Sequence, residues 1–282
     1  MEKQVIINGD DFGLRDEVND AIVKAHTGGV LTSASIIANM PAAEKAVKLA
    51  KDLPDLGIGV HLNLSKGKPL SEKPVIKCLV DDAGQFCLSK SKLAFLPLLS
   101  QRIRFAIETE LNAQIQWIID SGIKPVHLDS HYHIHFYPGL FSIVCRLASR
   151  FQIRAVRWVY EPKDVSDTPW PISSDHGKKN AAVYRFWAKI NRFQNRDFIK
   201  SDSFAGIAHS GRIDVNFFKA VSLYSRGNIV EVMTHPATGS DGLEEQTDNV
   251  RLTELKALCD ERVPRYFSEA KIKLTHYGRL AY

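Results

Sequence analysis

The sequence predicts a parallel α/β fold, and its strand count points to a (β/α) barrel of the TIM type. Three observations carry this expectation. Short β-rich runs alternate with amphipathic helical stretches along the chain. About eight of those runs qualify as strands. The chemistry-bearing residues collect at the C-terminal ends of the strands, where barrel enzymes place their sites.

Taken in order, Gln4–Asn8 reads as a strand and Asp16–His26 as a helix. Val18, Ala21, Ile22 and Ala25 share one face of that helix, and Gly28-Gly29 stops it. Ser33–Ala38 is a second strand, and Pro41 opens a helix as a favoured first residue. Gly57–Leu64 is a third strand. Residues 65–100 lack clean periodicity and read as an insertion, and a long helix follows over Ile103–Ser121. Further strands are expected at Pro125–Asp129, Ile153–Trp158, Ser203–Ala208, Asn228–Thr234 and Lys271–His276. No Gly-, Ser- or Pro-rich linker and no repeat interrupts the pattern, so residues 1–282 are expected to form one domain.

Composition narrows the function. The net charge of +5 mildly favours anionic partners and is too small to imply nucleic-acid binding, for which no motif is present. Cys78, Cys87, Cys145 and Cys259 form no CxxC pair, which excludes a zinc ribbon and fits reduced thiols in the cytoplasm. The N-terminal MEKQVIINGDDFG does not read as a signal peptide, and no apolar stretch is long enough to span a bilayer.

Eight of the ten histidines fall at strand ends, His26 and His176 being the exceptions. The run HLDSHYHIH, residues 127–135, is the most informative. Alternation along an extended chain puts His127, Asp129 and His131 on one side. Imidazole and carboxylate hold zinc and related divalent ions, and three such ligands leave a position open for water. One isolated histidine would read as a hydrogen-bonded core residue, but four with an aspartate in nine residues read as a metal or catalytic site. Asp10-Asp11 ends the first strand, where adjacent buried carboxylates are costly unless paired or metal-bound. The competing reading is a turn or helix cap. His61 in GVHLNL and His235 in MTHPA read, taken alone, as a packed core residue and a structural turn.

Together these segments resemble the YdjC-like carbohydrate deacetylases, which include the chitooligosaccharide deacetylases. The likeness rests on INGDDFG (7–13), VLTSASIIANMPAA (30–43), GVHLNL (59–64), HLDSHYHIH (127–135) and MTHPA (233–237). It covers nearly the whole chain and is weakest at about 65–100 and 160–200, both expected to be insertions. Gly9 stands where the family usually has alanine. RAVRWVYEP (154–162) and FAGIAHSGRI (204–213) are further similar to the subgroup associated with hopanoid biosynthesis.

The resemblance implies a distorted (β/α) TIM-like barrel that binds one divalent ion, Zn2+ or Mg2+. It implies Asp11, His61 and His131 as metal ligands and Asp10 as general base. His235 is then the candidate general acid, and Asp129 and His133 orient ligands or contact sugar. The expected reaction is hydrolysis of an N-acetyl group on a sugar or glycolipid head group, releasing acetate. A barrel metallo-phosphoesterase or amidohydrolase is the alternative, and a non-catalytic sugar-binding or metal-storage module is the second. A homodimer is also expected from the resemblance. Residues 86–105 and 184–198 interleave aromatic or aliphatic residues with Lys and Arg, so peripheral membrane contact is expected there. Packing into a core or dimer interface is the competing reading of those segments.

Overall fold

A computed structural model of the chain describes residues 2–167, 173–193, 197–239 and 245–280. Residues 168–172 and 194–196, which belong to the expected 160–200 insertion, lie outside the described residues. The fold is the expected distorted (β/α) barrel. It begins β1 (Lys3–Phe12), α1 (Asp16–Thr27), β2 (Ser33–Ile36), α2 (Ala43–Lys51), β3 (Gly57–Leu62). Helices α3 (Lys73–Ile76), α4 (Lys90–Leu99) and α5 (Gln101–Asp120) follow. Next come β4 (Leu128–Ser130), a tight turn over His131–Phe136, α6 (Pro138–Arg150), α7 (Lys163–Ser166) and α8 (Asp175–Asn191). The chain continues through β5 (Ser203–Ala205), α9 (Val215–Tyr224), β6 (Ile229–Thr234), α10 (Glu245–Leu258), α11 (Arg262–Glu269) and β7 (Ile272–Thr275).

The strands are parallel and run in the order β4-β3-β2-β1-β6-β5. They are buried on both faces, and the Val5–Ile7 stretch of β1 and most of β3 are accordingly apolar. Val18, Ala21, Ile22 and Ala25 of α1 are buried as their spacing predicts.

Two departures give the barrel its distortion. The strand expected at Ile153–Trp158 is reduced to bridges at Ala155 and Val156. Its neighbours β4 and β5 are three residues long, so few ladder bonds can form. Segment 154–160 still closes the ring: Leu128 N–H donates to Ala155 O on one side and Phe204 N–H to Tyr160 O on the other. The last strand also does not take the eighth barrel position. Residues Gln4 of β1 and Asn8 both pair with β6, while the opposite edge takes β7 at Gln4 and β2 at Asn8. β7 therefore fills the N-terminal half of an edge whose C-terminal half belongs to β2.

Glycines in β3 make room for rings. A Cβ on Gly59 would lie 2.3 Å from His127 Cε1, and one on Gly57 would lie 2.5 Å from His276 Cγ. Gly59→Ala is expected to cost roughly 1–3 kcal/mol through overpacking. Urea unfolding of Gly59→Ala, His127→Ala and the double variant checks this, the double losing less than the sum of the singles.

Candidate active site

Four strand ends deliver the site. The register pairs Gly9 of β1 with Thr234 of β6, so Asp10 and His235 emerge side by side. It pairs His61 of β3 with Asp129 of β4. At the end of β1 the register against β2 shifts between Gly9 and Phe12, and Asp11 takes a φ of 68°. That left-handed residue is strained for a side chain with a Cβ. The bulge re-aims it, so both carboxylates reach the barrel interior. Side-chain bonds hold the neighbouring loop: Asn19 accepts from Gly13 N–H and donates to Ala42 O.

These ends border a cleft of about 560 Å³ lined by Asp10, Asp11, His61, His131, His133 and His235, with Lys66, Lys90 and Arg251 among its other residues. Asp11 is its centre. Its Oδ1 lies 3.0 Å from His131 Nδ1 and 3.5 Å from His61 Nε2, and its Oδ2 accepts from Arg251 at 2.6 Å. Burial pushes the Asp11 carboxyl up, but the charges of His131 and Arg251 hold it well below the usual range. His61 Nδ1 sits 2.8 Å from Asp129 Oδ1. Burial disfavours the His61 cation, yet the Asp129 carboxylate outweighs it and raises the pKa. Asp129 therefore fixes the ring and turns Nε2 toward Asp11.

Beneath lies a buried charge cluster around Arg157. Its two terminal nitrogens reach both Asp10 oxygens at 2.7 Å, and one of them lies 2.9 Å from Asp129 Oδ2. Its Nε donates to Glu231 at 2.7 Å, and Glu231 accepts from Tyr277 OH at 2.6 Å. Burial pushes Asp10 up, and Arg157 pulls it below the normal value, so it stays ionised. Asn8 Nδ2 completes the clamp at 2.8 Å from Asp10 Oδ1.

The structure thus brings together Asp10, Asp11, His61, Asp129 and His131. His235 and His133 line the same cleft. His235 is half-buried, its backbone N–H held by Glu254 at 2.6 Å. His133 is packed edge-on against Tyr184 and Phe204. Extended alternation stops at Ser130, because Tyr132 and His133 adopt φ values of 54° and 52°. His127, on the inner side as predicted, stays apart from the Asp11 cluster, stacked near Tyr277. His209 packs on Phe217 and His276 abuts Gly57, and with His127 and His135 these strand-end histidines do not line the cleft.

Sequence reasoning missed Arg157, Arg251, Glu231 and Glu254. Arg157 carried a signal: a lone cation in the apolar run AVRWV must meet buried acids to be tolerated.

Burial pushes His127 down to about 4 and His135 down to about 3. Both are depressed from 6.5, so the stability they contribute is complete above pH 6.5 and is lost as pH falls through those values. At full protonation the loss is about 3 kcal/mol for His127 and about 5 kcal/mol for His135. Urea unfolding at pH 7 and 4.5 is expected to show the loss, and His127→Gln is expected to show a smaller one.

The residues fit a divalent ion. One ligand atom from each of Asp11, His61 and His131 falls within 4.8 Å of the others, all three residues buried. His131 Nε2 has no hydrogen-bond partner among the described residues. The donor set of two imidazoles and a carboxylate suits a divalent ion of the zinc type. A second acid–histidine group, Asp10, His61 and Asp129, has the right spacing, but Arg157 already occupies both its carboxylates. Its cation is a guanidinium.

The chain is similar end to end to known proteins. A carbohydrate deacetylase of Geobacillus stearothermophilus is 32% identical over 98% of both chains. One of Brevibacillus brevis is 31% identical over 98% of this chain and 99% of its own. A crystal structure of a protein from Enterococcus faecalis V583, with a proposed role in cellobiose-phosphate cleavage, superposes with a TM-score of 0.76 at 26% identity and covers 100% of both chains. The family model for YdjC-like proteins matches residues 4–269, and with that span the chain belongs to the YdjC-like family.

Proposed function

We propose that this protein is a metal-dependent carbohydrate deacetylase, hydrolysing an N-acetyl group and releasing acetate. The observation that carries the reading is the buried Asp11–His61–His131 cluster, open to a cleft that also holds Asp10 and His235. The family and its carbohydrate deacetylases support the choice of substrate class.

A zinc or magnesium ion held by Asp11, His61 and His131 would polarise the acetyl carbonyl and make water more acidic. The chain's own groups supply the rest. Asp10, kept ionised by Arg157, accepts the proton of the attacking water. Asp129 holds His61 in place. His235, at the open side of the cleft, protonates the departing amine. His133, walled by Tyr184 and Phe204, offers an apolar face for a sugar ring.

A two-metal phosphoesterase needs a second set of carboxylates, and Arg157 neutralises the one available here. The test is a screen of purified protein against N-acetylglucosamine oligomers, N-acetylated glycolipids and phosphate esters. Acetate release with appearance of a free amine is expected. Phosphate release instead, or no release from any substrate, overturns the reading.

A further inference from the structure

Helices α4 and α8 turn apolar side chains outward. On α8 the fully buried residues are small, Gly177, Ala181, Ala188 and Asn191, and Tyr184 and Trp187 pack part-buried beside them. A Cβ on Gly177 would lie 2.5 Å from Ala208 O, so the helix lies tight on the chain beneath. Its outward stripe carries Val183, Phe186 and Ile190, followed by Phe193, at helical spacing, with Phe186 and Phe193 each 58% exposed. On α4 the pattern repeats. Leu93, Ala94 and Pro97 are buried, while Phe95, Leu98 and Leu99 face solvent, Leu99 at 81%. Globular helices normally present the opposite polarity.

The two helices flank one segment, residues 131–139, and run along it in the same sense. Lys90 Nζ, at the start of α4, sits 3.6 Å above the Tyr132 ring, and Tyr184 OH, midway along α8, donates to Tyr132 O at 3.1 Å. At their C-terminal ends, Leu98 lies against Gly139 and Asn191 donates to Phe136 O. Lys90, Tyr132 and Tyr184 also line the catalytic cleft. Both helices that carry the apolar ridges therefore also reach the mouth of the site.

The surrounding charge selects the partner. Residues 88–107 contain Lys90, Lys92, Arg102 and Arg104 and no acid; α8 carries Asp175 as its lone acid against Lys178, Lys179, Arg185 and Lys189. Lys92, Arg102, Lys179, Lys189 and Arg192 are exposed. Two copies meeting through this face would bring like charges together, whereas an anionic lipid surface complements them. We propose that α4 and α8 form a docking surface for anionic membrane, seating the cleft mouth at the headgroup layer. Phe and Leu enter the headgroup boundary and Lys and Arg meet the phosphates. None of the described helices is long and apolar enough to cross a bilayer, so the contact is peripheral.

The test is co-sedimentation with vesicles of phosphatidylcholine alone or mixed with phosphatidylglycerol, at low and high salt, beside sedimentation velocity without lipid. The assay has no catalytic readout, so its result is independent of the acetate screen. Binding to the anionic vesicles at low salt is expected, weakening as salt screens the basic groups. Phe186→Ser with Ile190→Ser should weaken it by at least roughly tenfold while circular dichroism stays unchanged. Lys92→Glu with Lys189→Glu should do the same at low salt. Protein left in the supernatant with anionic vesicles at low salt overturns the proposal, as does binding that both variants retain. A lipid-free dimer dissolved by Phe186→Ser with Ile190→Ser assigns the face to a second copy and overturns it too.

Discussion

Asp10→Asn is expected to reduce acetate release on the order of 10²–10⁴-fold while leaving metal content unchanged. Asp10 is not in the Asp11–His61–His131 cluster, so the proposed metal ligands survive the substitution. The amide oxygen can still accept from Arg157, but the group can no longer take a proton from water. Some stability is lost too, because the two 2.7 Å bonds from Arg157 weaken and one donor faces an NH2 group. Turnover per folded molecule, with metal measured by elemental analysis, separates the two effects. Near-normal turnover would remove Asp10 from the role of base.

Arg157→Leu is expected to have the largest effect on stability. It strips the shared cation from Asp10, Asp129 and Glu231, all buried. Breaking a buried ion pair by removing one partner costs about 3–5 kcal/mol, and here three acids lose theirs. That is comparable with the total stability of many domains, so little folded protein is expected at neutral pH. Arg157→Lys keeps the charge but has no fork to reach three carboxylates, so it should fall between. Thermal unfolding of both variants checks the order, and a leucine variant as stable as the parent would contradict the hub.

Much of this was legible in the sequence because local rules suffice for it. The short apolar runs of β1, β3 and β6 and the spacing of Val18, Ala21, Ile22 and Ala25 follow from periodicity and burial. The histidine-rich run points to the candidate site because such a density of imidazoles is costly without a task. What escaped depends on distant residues. Ile153–Trp158 has strand composition, yet its pairing depends on how short β4 and β5 are. The place of β7 depends on which part of the β1 edge β2 leaves open. Arg251 meets Asp11 across 240 residues of chain and Arg157 meets Asp10 across 147, separations that no spacing rule reads. The bulge at Asp11 shows as two adjacent acids in sequence, but only the register with β2 makes it a bulge.

The most direct test of the central claim is acetate release by purified protein that has been stripped with a chelator and then resupplied with zinc or magnesium. The account predicts that stripping abolishes release, that one of the two ions restores it at about one ion per chain, and that His61→Ala cannot be restored by either. Undiminished release from the stripped protein, or full restoration of His61→Ala, would contradict it.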